Sequence, residues 1–364
     1  MKAKLHEKII IGLFCGFLAV MSVLYWALPQ QDFSETEKRQ LAEFPKLSWE
    51  SLSTGEFGGL IETYMADHMP GRSFFVGVGA YFDLFTGRQI SKDIYTAKGD
   101  RLVEVPAIWN QAQIDKNMKY INKFSEKLEI PVDLMVIPSA GWAGEYPEYP
   151  DTEILERIAD QAGESVKVLD MQPVFAGKPE LYYRTDHHWT SAGAYGAYVS
   201  YMEQTGKTYR AEADFRKEIL TGCFRGSTYS RSALWLTPAE DLELWHGSEN
   251  LTVTNGETEG EHSGVFYRER LEEADKYTVF LDGNHSVVRI HNPEGEGKLL
   301  VVRDSYANCL GCFLAESYAE VVLIDLRYYR TPVSQLIQQE SFDNILICYS
   351  LSNFLTDKNL VWLK

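Results

Sequence analysis

The longest apolar run of the chain lies at its N-terminus and predicts one membrane-spanning helix. Residues 9–28 carry no charged side chain, and at about 1.5 Å per residue a helix of this length crosses a hydrocarbon core of about 30 Å. Lys2, Lys4 and Lys8 precede the run, whereas acidic residues follow it. The positive-inside rule therefore predicts a cytoplasmic N-terminus, residues 1–8, and a C-terminal part outside the cell membrane.

A cleaved signal peptide is the alternative interpretation of this run. The apolar region of a signal peptide normally spans about 7–15 residues and ends at a small-x-small cleavage site. The run here is longer, and it ends at Tyr25-Trp26-Ala27-Leu28-Pro29, which contains no such site. We therefore expect an uncleaved anchor over residues 9–28.

Residues 29–90 are predicted to form a stalk and juxtamembrane helices. The stretch 30–46 is polar and has no clear period, which is typical of a stalk. Residues 62–72 have the pattern of a short helix that ends at Met69-Pro70-Gly71-Arg72, because Pro and Gly terminate helices.

From residue 91 onward the pattern alternates between helix and strand, which predicts one α/β domain over 91–364. Helical spacing over 109–128 is followed by a buried strand over 131–137, and the same order recurs over 151–161 and 166–171. Three further strands are the β-branched runs at 298–302, 321–324 and 345–348. Such near-continuous apolar strands indicate a parallel sheet covered by helices on both faces.

Residues 207–297 interrupt this alternation. The pattern there loosens into short strand-like pieces separated by glycines, among them Gly222, Gly226, Gly247 and Gly256. We interpret the segment as a β-rich insertion or lid within the domain rather than as a second domain.

Composition limits the class of protein and its partners. A chain of 364 residues with 45% hydrophobic residues buries one large α/β core or two modest ones. With 35 Lys+Arg against 52 Asp+Glu the formal net charge is -17, which repels a phosphate backbone, so no nucleic-acid partner is expected. The five cysteines are too sparse for a disulfide framework, and Cys309 and Cys312 are predicted to be buried on a core helix.

Candidate chemistry is concentrated at Ser305 and at Asp186-His187-His188-Trp189. Ser305 follows a predicted strand and precedes a predicted helix, so it lies at the carboxyl edge of the sheet, where ligands bind in open α/β folds. A helix N-terminus also offers free N–H groups to a developing oxyanion. The simpler interpretation of Ser305 is an ordinary N-cap serine.

The Asp-His-His-Trp cluster precedes a second predicted helix, which begins after Thr190 and runs to Gln204. Asp186 can hold one ring nitrogen of His188 while the other faces Ser305, and these are the parts of a serine acyl-transfer site. His187 is expected to point elsewhere. Because adjacent side chains diverge and the other histidines lack ligand spacing, we predict no metal site and no cofactor.

Together these residues resemble the DHHW protein family, named for the tetrapeptide at 186–189, which is similar to the SGNH-hydrolase-like acetyltransferases of alginate and other exopolysaccharide modification. The resemblance extends through residues 37–45 and 64–72 and through Asp304-Ser305-Tyr306. It implies an SGNH-hydrolase-like fold, with Asp186 and His188 as the acid and base of a triad and Ser305 as the nucleophile.

Two features depart from ordinary SGNH hydrolases. The order Asp, His, Ser is permuted, because those enzymes place Ser first and Asp-x-x-His last. Arg303 stands where Gly commonly precedes the Asp-Ser pair. These departures leave the donors of the oxyanion hole unassigned by the sequence. The Ser305 N–H is the first candidate, and the further candidates for oxyanion binding or support are Asp304, Gly226 and Asn353.

The resemblance implies an enzyme that moves an acetyl group onto or off a cell-surface polysaccharide. An O-acetyltransferase is expected, with a multi-span membrane O-acyltransferase as its acyl donor. A carbohydrate acetylesterase of the same fold and a non-catalytic glycan-binding or scaffold protein of the envelope are the alternatives. Hydrogen-bonding contact among Asp186, His188 and Ser305 is the feature that discriminates the enzyme from the scaffold.

Overall fold

The computed structural model describes residues 2–256 and 260–364. Met1 of the predicted cytoplasmic segment and residues 257–259 of the predicted insertion lie outside the described residues. Two units are distinguished along the chain. The first contains the residues up to 92 together with 230–236, and the second contains 93–229 and 237–364.

The first unit begins with helix α1 (Lys2–Ala27), which holds the N-terminal apolar run. Over Lys4–Ala27 this helix is long and apolar enough to cross a membrane, as predicted. A signal sequence near the N-terminus passes the same test of helix length and hydropathy, and the uncleaved anchor stays a prediction.

Short elements follow α1 in the first unit. They are β1 (Phe33–Ser34) and β2 (Arg39–Gln40), which pair antiparallel, then α2 (Trp49–Ser53), α3 (Glu56–Asp67), α4 (Arg72–Phe85) and β3 (Ile90–Ser91). The predicted helix over 62–72 is wrong at both ends. The helix begins earlier, at Glu56, and ends at Asp67, just before the predicted stop at Met69-Pro70-Gly71-Arg72. Gly71 adopts a φ of 69° between the two helices, and the aromatic run after it forms the helix α4.

Ion pairs join the two segments of the first unit that carry the family resemblance. Arg39 donates to both carboxylate oxygens of Asp67, at 2.9 Å and 2.5 Å. Arg72 pairs with Glu37, and Arg39 Nε donates to the same carboxylate at 2.7 Å. Residues 37–45 and 64–72 therefore form one charged cluster.

The second unit contains the remaining strands and helices. Its strands are β4 (Ile94–Ala97), β5 (Arg101–Glu104), β6 (Val132–Ile137), β7 (Val166–Leu169), β8 (Arg216–Phe224), β9 (Glu240–His246), β10 (Thr252–Asn255), β11 (His262–Ser263), β12 (Val287–His291), β13 (Lys298–Arg303), β14 (Glu320–Ile324) and β15 (Asn344–Ser350). Its α-helices are α5 (Gln111–Ser125), α6 (Ala140–Ala143), α7 (Asp151–Asp160), α8 (Gln172–Phe175), α9 (Ser191–Gln204), α10 (Ser227–Ser232, whose last three residues are counted with the first unit), α11 (Ala307–Leu314), α12 (Val333–Gln339) and α13 (Leu351–Phe354). Single 3₁₀ turns lie at Pro179–Leu181, Glu212–Asp214, Arg268–Glu272, Lys276–Val279 and Asn359–Leu363.

A mostly parallel sheet forms the centre of this unit, with the strand order β11-β10-β12-β14-β13-β15-β6-β7. The pairs from β14 to β7 are parallel. Leu299 and Val301 of β13 face a core shared with α9 and α11, whereas Leu300 and Val302 face a core shared with α5 and α7. Helices thus cover both faces, as the continuous apolar runs predicted, and the α/β fold class is confirmed.

The segment 207–297 is β-rich, as predicted, but it is more than a lid. The strands β8 and β9 form an antiparallel hairpin, whereas β10, β11 and β12 add to the main sheet beside β14. The pattern of β12 gave a weak signal because only its alternate residues, Val288 and Ile290, are buried. Pairing with the distant strand β14 is a long-range contact that local pattern does not encode.

Candidate active site

The Asp-His-His-Trp cluster lies on a turn directly before α9. Thr190 Oγ1 accepts a hydrogen bond from Gly193 N at 3.2 Å, which is the N-cap that the sequence predicts. Trp189 is fully buried, and its Nε1 donates to the carbonyl of Tyr306 at 3.1 Å. This bond links the cluster to the turn that carries Ser305.

Asp186 and His188 form a buried hydrogen-bonded pair. His188 Nδ1 lies 2.5 Å from Asp186 Oδ1, and the His188 backbone N–H donates to the same oxygen at 2.9 Å. An ionised carboxylate only accepts hydrogen bonds, so Nδ1 carries the proton in this contact. The second ring nitrogen, Nε2, is then an acceptor when the imidazole is neutral.

The other oxygen of Asp186 is held by the chain that follows β8. Ser227 N donates to Asp186 Oδ2 at 2.5 Å. Gly226 lies so close that a Cβ atom there would be 2.1 Å from Oδ2 and 2.2 Å from Asp186 Cβ. Only glycine therefore fits at position 226 with the carboxylate in this place.

Glu240 of β9 fixes the residues just before Asp186. Its carboxylate accepts hydrogen bonds from Arg184 N at 2.8 Å, Thr185 N at 2.6 Å and Thr185 Oγ1 at 2.5 Å. Gly226 N donates to Thr185 Oγ1 at 3.2 Å. Glu240 of β9, together with Gly226 and Ser227 after β8, thus positions the acidic residue of the cluster.

Ser305 lies in the turn between β13, which ends at Arg303, and α11, which begins at Ala307. Its Oγ lies 2.8 Å from His188 Nε2. The cap position of α11 is Tyr306, which makes no side-chain capping bond. The Ser305 hydroxyl therefore contacts the imidazole instead of capping the helix, and Asp186, His188 and Ser305 form one hydrogen-bonded chain.

Asp304 and Asn353 connect the Ser305 turn to the end of β15. Asp304 Oδ1 accepts from Tyr306 N at 3.0 Å, and Oδ2 accepts from Ser350 N and Oγ, both at 2.8 Å, and from Asn353 Nδ2 at 2.7 Å. In this arrangement the Asn353 amide and the Gly226 N–H are each engaged with protein oxygens. The Ser305 N–H donates to no other group in the described part of the chain, so it stays the first candidate for an oxyanion donor.

Arg303, the departure from the usual glycine, is fully buried. Its Nη1 donates at 2.8 Å to Oδ1 of Asn284, which also accepts from Asn308 Nδ2 at 3.1 Å. Desolvation lowers the pKa of Arg303, and Asp325 at 4.0 Å opposes that effect. The guanidinium thus helps to fix Asn284, an exposed residue that the sequence did not single out.

Tyr277 is a further residue that the pattern did not reveal. Its ring stacks on the imidazole of His188, with 3.9 Å between ring centroids and 8° between the planes. Tyr277 is buried and lies in the 3₁₀ turn Lys276–Val279 of the β-rich insertion. An aromatic face at this distance stabilises a positively charged imidazole, but no periodicity marks the residue in the sequence.

His187 does not point away from the cluster, so that expectation is wrong. The rings of His187 and His188 lie 3.8 Å apart, and His187 Nδ1 is 2.6 Å from Ser227 Oγ and 3.3 Å from Asp186 Oδ1. Burial lowers the pKa of His187, and His188 adds to the effect. The turn brings the adjacent imidazoles together, because the Nδ1 atoms of both lie near the same oxygen of Asp186.

The same geometry corrects the argument against a metal ion. One ligand atom from each of Asp186, His187 and His188 lies within 4.8 Å of the others, so divergence of the side chains does not exclude a metal. Both ring nitrogens of His188 are already hydrogen-bonded, one to Asp186 and one to Ser305. A metal bound through His188 would therefore replace one of those two bonds.

Comparisons with known proteins were made for both sequence and fold. Residues 176–324 match the family model described as DHHW protein. No curated protein sequence matches the chain. A DHHW family protein from Eubacterium siraeum has a similar structure, with a TM-score of 0.66 and 20% identity over 75% of this chain and 95% of that chain.

Bacillus cereus PatB1, in a structure with a sulfonyl adduct, has a TM-score of 0.62 and 21% identity over 74% of this chain and 98% of that chain. The O-acetyltransferase domain of Pseudomonas putida AlgJ is more distant, with a TM-score of 0.46 and 15% identity over 72% of this chain and 92% of that chain. The fold of the chain is thus similar to the first two structures, and the match over 176–324 confirms the resemblance of this chain to the DHHW protein family.

Proposed function

We propose that this protein is an extracytoplasmic O-acetyltransferase that acts on a cell-surface polysaccharide through a Ser-His-Asp triad. The observation that supports this proposal is the chain of hydrogen bonds from Asp186 Oδ1 to His188 Nδ1 and from His188 Nε2 to Ser305 Oγ. A nucleophile, a base and an orienting carboxylate in this order are the minimum for acyl transfer through a serine.

In the first half-reaction, Ser305 Oγ attacks the acetyl carbonyl of the donor and His188 Nε2 takes the hydroxyl proton. Asp186 stabilises the imidazolium that results, and the face of Tyr277 adds to that stabilisation. The tetrahedral intermediate collapses when the donor oxygen or sulfur leaves with the proton from His188. The Ser305 N–H, next to the N-terminus of α11, is the group that would stabilise the oxyanion.

In the second half-reaction, a hydroxyl of the polysaccharide gives its proton to His188 Nε2 and attacks the acetyl-serine. The new ester leaves, and the proton returns to Ser305 Oγ. Water in the place of the sugar hydroxyl would give acetate and make the protein an esterase. A difference of about 1.4 kcal/mol between the two barriers changes the product ratio tenfold.

Membrane attachment supports the choice of a transferase. An uncleaved α1 would hold the domain beside nascent polymer and beside a multi-span membrane O-acyltransferase, which we propose as the acyl donor. The negative charge over the whole chain is compatible with a neutral sugar acceptor and an uncharged acetyl group. Neither reaction half requires a cofactor.

A covalent adduct on Ser305 tests the nucleophile. The purified protein is incubated with 4-nitrophenyl acetate or with a sulfonyl fluoride, the reagent class suggested by the sulfonyl adduct of PatB1, and the Ser305 peptide is examined by mass spectrometry. An adduct is expected in the wild type and in Ser227→Ala, which changes a neighbouring serine. An adduct that persists in Ser305→Ala would assign the nucleophile to another residue, and no adduct with any reagent would favour the scaffold.

A second experiment tests whether the acetyl group is transferred to a glycan or released as acetate. A labelled acetyl donor is supplied with and without oligosaccharides, and the label is followed into glycan ester and into acetate. Labelled glycan is expected to exceed labelled acetate when a suitable acceptor is present. Acetate alone across a range of glycans, together with higher polymer acetylation in cells that lack the gene, would identify an esterase.

A further inference from the structure

Helix α4 (Arg72–Phe85) exposes a continuous apolar stripe. Phe74, Val78, Phe82 and Phe85 recur at helical spacing and are 66%, 51%, 64% and 88% exposed. Scattered exposed apolar residues are ordinary, but four on one side of a 14-residue helix form a patch that water solvates poorly. We therefore expect an apolar partner to cover the stripe.

The opposite side of α4 is occupied within the same unit. Gly77 and Ala80 are buried, and a Cβ atom on Gly77 would lie 2.6 Å from the ring of Trp235. Trp235 Nε1 donates to the carbonyl of Ser73 at 2.7 Å, and Leu236 N donates to Tyr81 Oη at 2.8 Å. These contacts fix the rotation of α4 about its axis, so the apolar stripe cannot turn inward.

Contact with α1 gives the position of α4 along the proposed membrane span. The rings of Phe75 and Phe17 are packed edge to face, with 6.2 Å between their centroids. Phe17 lies ten residues before Ala27, the last residue of α1, which corresponds to about 15 Å along the helix. A ring at that depth in a bilayer is surrounded by acyl chains, not by water.

Charges on α4 do not oppose insertion. Its charged residues are Arg72 at the start, which pairs with Glu37, and Asp83 in the last turn, which pairs with Arg88 at 3.1 Å. Trp26 is 84% exposed at the end of α1, as is typical of an aromatic residue at the membrane surface. The stripe itself carries no charged side chain, so its burial in lipid takes no charge out of water.

We propose that the apolar stripe of α4 is buried in lipid beside α1, in the leaflet next to the C-terminal end of α1. The protein then holds the membrane by two elements, a spanning helix and a shorter amphipathic one. This inference depends on the proposed anchoring by α1 and extends it. Two apolar contacts restrict tilt and rotation of the juxtamembrane unit, whereas one helix alone leaves it free to swing.

Spin-label accessibility in vesicles of phosphatidylethanolamine and phosphatidylglycerol tests this inference on the full chain. Cys15 and Cys223 are first replaced by Ser, since the other three cysteines are buried. A nitroxide is then attached to Phe82→Cys or Val78→Cys, both on the stripe. The matched control is Glu62→Cys, an exposed charged position on the neighbouring helix α3.

The labels on the stripe are expected to collide more with oxygen, which partitions into lipid, and less with a water-soluble nickel chelate than the label at position 62. Equal nickel accessibility at positions 82 and 62 would place the stripe in water and overturn the inference. Protection of the stripe from both reagents would show that protein covers it, either a second copy or a membrane partner. Failure of the protein to float with the vesicles would refute the anchor itself, and the inference with it.

Discussion

Gly226→Ala tests the acidic residue of the site without changing any member of the proposed triad. The added methyl would lie 2.1 Å from Asp186 Oδ2, 2.5 Å from Cγ and 2.2 Å from Cβ, where real Cβ atoms stay beyond 3.0 Å. Rotation of the carboxylate relieves only the first two contacts, because Asp186 Cβ is fixed to the main chain. The turn must therefore move by nearly 1 Å.

Such a movement acts on the reaction through His188. Asp186 Oδ1 contacts both Nδ1 and the backbone N–H of His188, so a displaced carboxylate misaligns the imidazole relative to Ser305 Oγ. A misplacement of about 1 Å costs about 10²-fold in rate, which corresponds to about 2.7 kcal/mol in the activation barrier. We expect kcat/KM for 4-nitrophenyl acetate to fall by about this factor.

The control for a general effect of the substitution is Gly79→Ala on α4. A Cβ atom there meets nothing within 4 Å among the described residues, so activity should equal that of the wild type. The melting temperature should rise slightly, because alanine is more stable than glycine in a helix interior by about 0.5–1 kcal/mol. The rates are measured well below the melting temperature of each variant. A fully active Gly226→Ala protein would refute the reasoning, because the turn would then tolerate a side chain where the structure leaves no room.

Three further predictions concern the base, the topology and a buried acid. His188→Ala is expected to lower kcat/KM by at least about 10³-fold. His187→Ala loses one hydrogen bond to Ser227 and should lower kcat/KM by no more than about tenfold. Equal losses in the two variants would contradict the assignment of His188 as the base. A protease added to intact cells is expected to remove a C-terminal tag, and a protected tag or a mature N-terminus near Gln30 would contradict the topology or the anchor. Asp133 is buried on β6, and desolvation raises its pKa to about 6, above about 3.9 in the unfolded chain. The wild type therefore loses stability as the pH rises from about 4 to about 6 and Asp133 ionises. The free energy of unfolding in urea of Asp133→Asn should exceed that of the wild type by about 3 kcal/mol at pH 7 and nearly equal it at pH 4. A difference between the two proteins that does not change with pH would refute this.

Local pattern was enough to predict the parallel half of the sheet. The strands β6, β13 and β15 are continuous apolar runs because helices cover both of their faces. Capping chemistry likewise predicted the start of α9 at Thr190, since the side chain and the N–H that it binds are three residues apart. Such features depend on residues that are close together in the sequence, so the local pattern is enough to predict them.

What the sequence did not reveal depends on contacts between distant residues. Tyr277 stacks on His188, and Asn284 contacts Arg303 and Asn308 on the two sides of the Ser305 turn. Both lie in a loosely patterned segment, so nothing near them in the sequence marks their position. The direction of His187 was predicted wrongly because side-chain divergence was assumed from adjacency alone, whereas the turn places the Nδ1 atoms of both imidazoles near the same oxygen of Asp186. The sequence makes Gly226 a candidate for oxyanion binding or support, whereas its close approach to Asp186 is a property of the folded chain only.

The contacts of the hairpin β8–β9 limit which segments could be deleted from this protein without disturbing the proposed site. Glu240, Gly226 and Ser227 hold the backbone around Asp186, although none of them belongs to the proposed triad. A shortened protein that kept Asp186, His188 and Ser305 but lacked this hairpin would retain the three side chains of the proposed triad. It would lose the hydrogen bonds that hold the backbone and carboxylate of Asp186 in place. Any shortened or transplanted form of the proposed site would therefore have to keep Glu240, Gly226 and Ser227 as well as the three residues of the triad.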